Sequence, residues 1–172
     1  MTLRLLPTTT LLVALFSLAA AAIAQFGFGL QPCVLCLYQR LPYGLITATS
    51  LIALLPVVAP LRKVALMYLV ALIFLGGGLL ALYHVGVEHH LFGEPTSCGF
   101  GPWWLGGGTP DIDVANIVQA MSVQPVRCDT PAWTFLGLSM AGYNAIWSLS
   151  LAVYGGKTAQ RWHRTLLEAH RK

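Results

Sequence analysis

Four uncharged apolar runs leave this chain few folds to choose from. They cover residues 11–30, 41–61, 64–83 and 132–154, which are 20, 21, 20 and 23 residues long. A helix rising 1.5 Å per residue needs about 20 residues to cross a hydrocarbon core of roughly 30 Å. Backbone groups in lipid must find their hydrogen bonds inside the segment, so each run is expected to be a helix. Only 9% of the residues are charged and 56% are hydrophobic, against about 25% charged in an ordinary soluble domain. The expected fold is therefore all-α: one integral membrane domain, 1–172, built as a four-helix bundle.

The first run has a competing reading. Arg4, an apolar stretch and then Ala22, Ile23 and Ala24 have the order of a secretory signal with its small-residue cleavage site. The apolar run continues past that site to Leu30, so a retained helix is expected.

Charge sets the orientation. Of the ten lysines and arginines, eight (Arg4, Arg62, Lys63, Lys157, Arg161, Arg164, Arg171 and Lys172) fall on one side if all four runs cross. Positive charge marks the cytoplasmic side, so both termini and the tail 155–172 are expected there. The other side receives the loops 31–40 and 85–131, with five of the six acids. Because the basic residues are not pooled on one soluble surface, nucleic acid is not an expected partner; lipid is, and a monomer is expected.

All four cysteines fall on the outer side: Cys33 and Cys36 in the short loop, Cys98 and Cys128 in the long one. Disulfides persist in the periplasm and are rare in the cytosol. Four cysteines allow three pairings. A bridge from Cys98 to Cys128 would close a loop of about 30 residues and contribute about 3–4 kcal/mol as a staple. A four-thiolate zinc site is the alternative, but the second pair lacks C-x-x-C spacing and an oxidising compartment competes for the thiols. No metal is expected.

The first pair points to redox chemistry. A C-x-x-C bridge closes so small a ring that it adds little as a staple. Pro32 is suited to a first helical turn, which puts the pair at the opening of the second helix, where the helix dipole favours thiolate. Arg40 lies four residues after Cys36 and so shares its face. Arginine at that depth also snorkels to headgroups without any catalytic role, but a charge beside two thiols at the bilayer edge favours function.

The long loop contains "GEPTSCGFGPWWLGGGTP" (93–110), with six glycines and three prolines around Cys98. Such a segment suits a cysteine that must reach a partner protein. Trp103 and Trp104 read as interfacial anchors. After them, "TPDIDVANIVQAM" (109–121) has Thr109 as N-cap, Pro110 at the first position and Ile112, Ala115, Val118 and Met121 on one face. That pattern gives a short amphipathic helix, on the membrane surface or against the outer end of the bundle.

"CVLCLYQR" (33–40), the later cysteine pair and "CDTPAWTFLGLSM" (128–140) together resemble the DsbB family of bacterial inner-membrane disulfide-forming proteins. The resemblance covers essentially the whole chain, and "YHVGVEHH" (83–90) looks like a variant of the segment that ends the family's third span. It implies a protein dithiol:quinone oxidoreductase. A soluble thioredoxin-fold oxidase, DsbA-like, attacks Cys98, whose partner is Cys128. Electrons pass by disulfide exchange to Cys33 and Cys36 and on to a membrane quinone, ubiquinone or menaquinone. On the same resemblance Cys36 faces the quinone as thiolate donor, Arg40 stabilises that thiolate and the developing quinone anion, and His84 is a second polar group at the quinone. Gln39 departs from relatives that carry an acid before the arginine.

Three rivals remain from the residues alone. One is a four-span protein with inert structural disulfides. Another is a quinone or epoxide reductase running in the opposite direction, although such proteins carry their C-x-x-C in the last spans. A haem protein would need a second histidine facing His84 from another span, and none does.

Overall fold

A computed structural model describes residues 4–93 and 127–171. The chain is an all-α bundle. Helix α1 (Leu5–Ala22) continues through a π-helical turn at Ile23–Gly27. A short α2 (Val34–Tyr38) leads into α3 (Arg40–Leu54). Then come α4 (Pro60–Glu88), a hairpin of β1 (Thr134–Phe135) and β2 (Leu138–Ser139), and α5 (Met140–Arg171). Helix α4 packs most extensively on α5, while α3 packs on both α1 and α4. The expected surface helix at 109–121, with Trp103 and Trp104, lies outside the described residues.

Leu6, Ala14, Tyr43, Ile46, Met67, Phe74 and Trp162 form the main core. A smaller cluster at the other end joins Cys33, Val34, Leu35, Val87 and Cys128. The outer surface is apolar as well: Leu12, Phe16, Leu72 and Val153 are each more than half exposed. A helix that is apolar all round needs an apolar solvent. Among the described residues, Leu5–Gly27 and Pro60–Glu88 are long and apolar enough to cross a membrane.

The helix bounds depart from the apolar runs for local reasons. Ahead of the second run, the helix is broken at Gln39, which separates α2 from α3. Pro42 lacks an N–H, and its ring crowds the carbonyl four residues back, at Tyr38. Helix α3 ends at Leu54, short of the end of the run, because Leu55, extended at ψ 135°, precedes Pro56. In the third run nothing interrupts the helix at Tyr83, so α4 carries His84 and Glu88 inward and stops only before His90, which has φ 56°. The fourth run opens as a hairpin, with Thr134 opposite Ser139 and Phe135 opposite Leu138. Its two linking residues, Leu136 and Gly137, both have positive φ, as a type I′ turn requires.

Close helix packing runs through the glycines of α4. A Cβ on Gly77 would stand 3.1 Å from Pro42, and one on Gly78 would stand 2.7 Å from Leu149 of α5. Nothing lies within 4 Å of the same position at Gly76. Gly78→Val is therefore expected to destabilise the bundle by about 1–3 kcal/mol through overpacking, read as a lowered unfolding midpoint in detergent. Gly76→Ala is expected to leave that midpoint unchanged or raise it.

Candidate active site

The site forms where the first turn of α2 meets the last turns of α4. Cys33 is the N-cap of α2, extended at ψ 168°, and its Sγ accepts the backbone N–H of Cys36 at 3.3 Å. Pro32 therefore precedes the cap rather than occupying the first helical position. The two sulfurs are 2.8 Å apart and both cysteines are free thiols. From α4, His84 Nε2 approaches Cys33 Sγ to 3.6 Å.

A hydrogen-bonded chain runs inward from His84. Gln39 Nε2 donates to His84 Nδ1 at 2.7 Å. Asn144 Nδ2, on α5, donates to Gln39 Oε1. Tyr43 Oη donates to Asn144 Oδ1 and lies 3.0 Å from Ser148 Oγ. With the amides placed this way, His84 carries its proton on Nε2 and offers it to Cys33. The break at Gln39 matters here, because it helps turn this polar side chain into the bundle, where it is buried.

Hydrogen bonds decide which sulfur carries charge in the dithiol. The Cys36 thiol donates to Cys33, which holds the Cys33 thiol well below its usual range, at about 5; burial opposes this, and His84 and the Cys36 backbone N–H reinforce it. The same bond, with burial, pushes the Cys36 thiol up. In this state the thiolate is Cys33, whereas the resemblance implies a thiolate at Cys36.

Arg40 opens α3, and its Nη1 donates to Gln25 Oε1 at 2.7 Å. Gln25 reaches it from the π-helical turn, a feature often found at functional sites. Glu88 Oε1 lies 3.9 Å from His84 Nε2, one turn along the same helix, and Ser139 donates to Glu88 Oε2. Cys128 is buried in the cluster that contains Cys33 and is disulfide-bonded. Cys98 lies outside the described residues.

Two cavities flank the dithiol. The larger, about 470 Å³, has Cys36, Gln39, Arg40, His84 and Asn144 at its polar end and Phe16, Ile146 and Trp147 among its apolar walls. Cys33 is absent from its lining. The smaller, about 30 Å³, is bordered by Cys33, Cys36, His84 and Glu88.

The family model for disulfide bond formation protein DsbB matches residues 3–156. The chain belongs to the DsbB family. Disulfide bond formation protein B of Methylococcus capsulatus is 34% identical over 137 residues, 80% of this chain and 82% of the relative. Its counterpart in Cupriavidus pinatubonensis is 31% identical over 150 residues, 83% and 88% of the two chains. An uncharacterized protein of Rickettsia prowazekii is 29% identical over 154 residues, 89% and 86% of the two chains. No solved structure matches the chain significantly. Membership of DsbB makes this a membrane-bound disulfide bond formation protein. The free Cys33–Cys36 pair and the bonded Cys128 are gathered in one cluster.

Sequence reasoning brought Cys33, Cys36, Arg40 and His84 together, and the structure does the same. It passed over Gln25, Glu88, Asn144 and Tyr43. Polar side chains within apolar runs are a usable signal of function, and Gln25, Tyr43 and Asn144 met it.

The depressed Cys33 value has a testable sign. A thiol with a lowered folded-state value is ionised above that value and loses its charge as pH falls through it. In reduced protein carrying Cys98→Ser and Cys128→Ser, ultraviolet thiolate absorbance should show one thiolate at neutral pH, lost toward about pH 5. Cys36→Ala should move that midpoint upward. Titration of both thiols together near 9.0, the ordinary value, would contradict the assignment.

Proposed function

We propose that the chain reoxidises a periplasmic DsbA-like dithiol oxidase and passes the electron pair to a membrane quinone. One observation carries this reading: of the two cysteines, Cys36 lines the large apolar cavity, beside Arg40, while both pack in the cluster that contains Cys128. The cavity suits a quinone, since it is mostly apolar, lies at the end of a lipid-facing bundle and gathers a cation, an imidazole and two amides at one end.

The supporting chemistry is thiol–disulfide exchange. A partner thiolate attacks Cys98, the Cys98–Cys128 bond breaks, and Cys128 leaves as thiolate. Attack by that thiolate on Cys33 breaks the Cys33–Cys36 bond, and Cys36 leaves as thiolate on the cavity side. Attack by the second partner thiol on Cys98 then releases oxidised partner and a Cys98 thiolate. A bound quinone supplies the two-electron, two-proton acceptor. Arg40 stabilises the Cys36 thiolate and negative charge developing in the cavity, and Gln25 orients its guanidinium. His84, held by Gln39, keeps a proton at Nε2 within reach of Cys33. The Cys98 thiolate then attacks Cys128 and breaks the Cys33–Cys128 bond formed in the second step. This restores the Cys98–Cys128 disulfide and leaves Cys33 and Cys36 reduced, with an electron pair to give to the acceptor.

In this reading all four helical segments cross the bacterial inner membrane, both termini are cytoplasmic and the thiols open to the periplasm. Purified protein given reduced partner should reduce a soluble quinone analogue, and Cys36→Ser should abolish this; normal turnover would favour inert staples. Cys98→Ala should remove the trapped mixed disulfide with the partner. Arg40→Ala should lower quinone-dependent turnover by about 100-fold with partner binding little changed. Equal loss of both would assign Arg40 to folding.

A further inference from the structure

We infer that the reduced Cys33–Cys36 pair, with His84 and Glu88, forms a binding site for a thiophilic divalent cation of the zinc class. The site borders the smaller cavity, which adjoins the large one and shares Cys36 and His84 with it. Sequence reasoning weighed a zinc site made from four cysteines; this one takes two cysteines and completes its donor set from α4.

The two sulfurs and His84 Nε2 all lie within 4.8 Å of one another. A tetrahedral zinc with bonds of about 2.3 Å to sulfur and about 2.0 Å to nitrogen sets a sulfur-to-nitrogen separation of roughly 3.5 Å. Cys33 Sγ and His84 Nε2 are 3.6 Å apart. The sulfurs, 2.8 Å apart, must open to roughly 3.8 Å for the same geometry, a movement within reach of side-chain rotation. Beside these three donors is the 30 Å³ cavity, which Glu88 also borders. That volume suits one water or one ion. Ser139 holds Glu88 Oε2, and Oε1 lies 3.9 Å from His84 Nε2, so a carboxylate stands beside the three-donor group without being one of its members.

The surrounding hydrogen bonds can serve a metal-bound His84. Coordination through Nε2 moves the imidazole proton to Nδ1, which must then donate. Gln39 meets this by turning its amide so that Oε1 accepts. Asn144 turns likewise to accept from Gln39 Nε2, and its own amide N–H then points at Tyr43 and Ser148. Both of those are hydroxyls, which accept as readily as they donate. The chain from His84 into the bundle therefore runs in either direction, and both tautomers keep their partners.

The site belongs to one redox state. Oxidation of Cys33 and Cys36 to a disulfide removes both thiolates, leaving only an imidazole and a carboxylate. A cation bound to the dithiol in turn withholds both sulfurs from exchange. This inference does not depend on which oxidant normally takes the electrons.

The test uses full-length chain in detergent with Cys98→Ser and Cys128→Ser, reduced and freed of reductant, titrated with Cd²⁺ alone. One equivalent should bind, with a sulfur-to-cadmium charge-transfer band that is absent from the oxidised sample. X-ray absorption of the Zn²⁺-loaded protein should show two sulfurs and at least one nitrogen. His84→Ala should weaken Cd²⁺ binding more than Gln39→Leu, for which a loss of about tenfold is expected from removing the support of a ligand. Absence of saturable binding by the reduced chain, a shell without nitrogen, or an affinity indifferent to His84→Ala would each overturn the site. If His84→Ala does not fold, the absorption shell of the protein that retains His84 decides.

Discussion

The contact between Cys33 Sγ and His84 Nε2 joins the start of α2 to the end of α4, and the arrangement of the site follows from it. Both groups are buried, where a charge without partners would be costly. The sulfur accepts from the Cys36 thiol, the Cys36 backbone N–H and the imidazole. Each donor favours the thiolate over the thiol. The imidazole can donate there because Gln39 occupies its other nitrogen, and Gln39 is in turn fixed by Asn144. A surface thiol needs none of this support, whereas a thiolate enclosed at the rim of an apolar bundle does.

Much of this was legible in the chain. The apolar runs gave the four main helices, and the C-x-x-C pair with Arg40 one turn later marked the site. The missing parts share a cause. Hydropathy averages over a window and is blind to where a helix stops once the apolar residues end, so residues 85–88 read as loop although nothing there breaks the helix. Glu88 was lost with them. Gln39 read only as a departure from relatives that carry an acid there, because its role depends on Asn144, more than a hundred positions away. Gln25 reached Arg40 through a π-helical turn that no periodicity announced. The hairpin at residues 134–139 was hidden inside an apolar run, where only Gly137 hinted at a turn.

In the proposed function, a dithiol with Cys36 on the wall of the large cavity and both cysteines packed near Cys128 would serve two chemistries through one disulfide. Exchange with protein thiols needs water and an approachable sulfur. Transfer to a lipid-soluble oxidant needs an apolar chamber with charge stabilisation at one end. Close glycine packing along α4 holds α3 and α5 against it.

Photoaffinity labelling with an azido-quinone, mapped by mass spectrometry on the protein in lipid, tests the central claim most directly. The account predicts labels on α1 near residues 16–25 and on α5 near residues 140–147, the walls of the large cavity, suppressed by excess unmodified quinone. Labels spread over the lipid-facing surface and indifferent to competitor, or confined to the opposite end of the bundle, would contradict it.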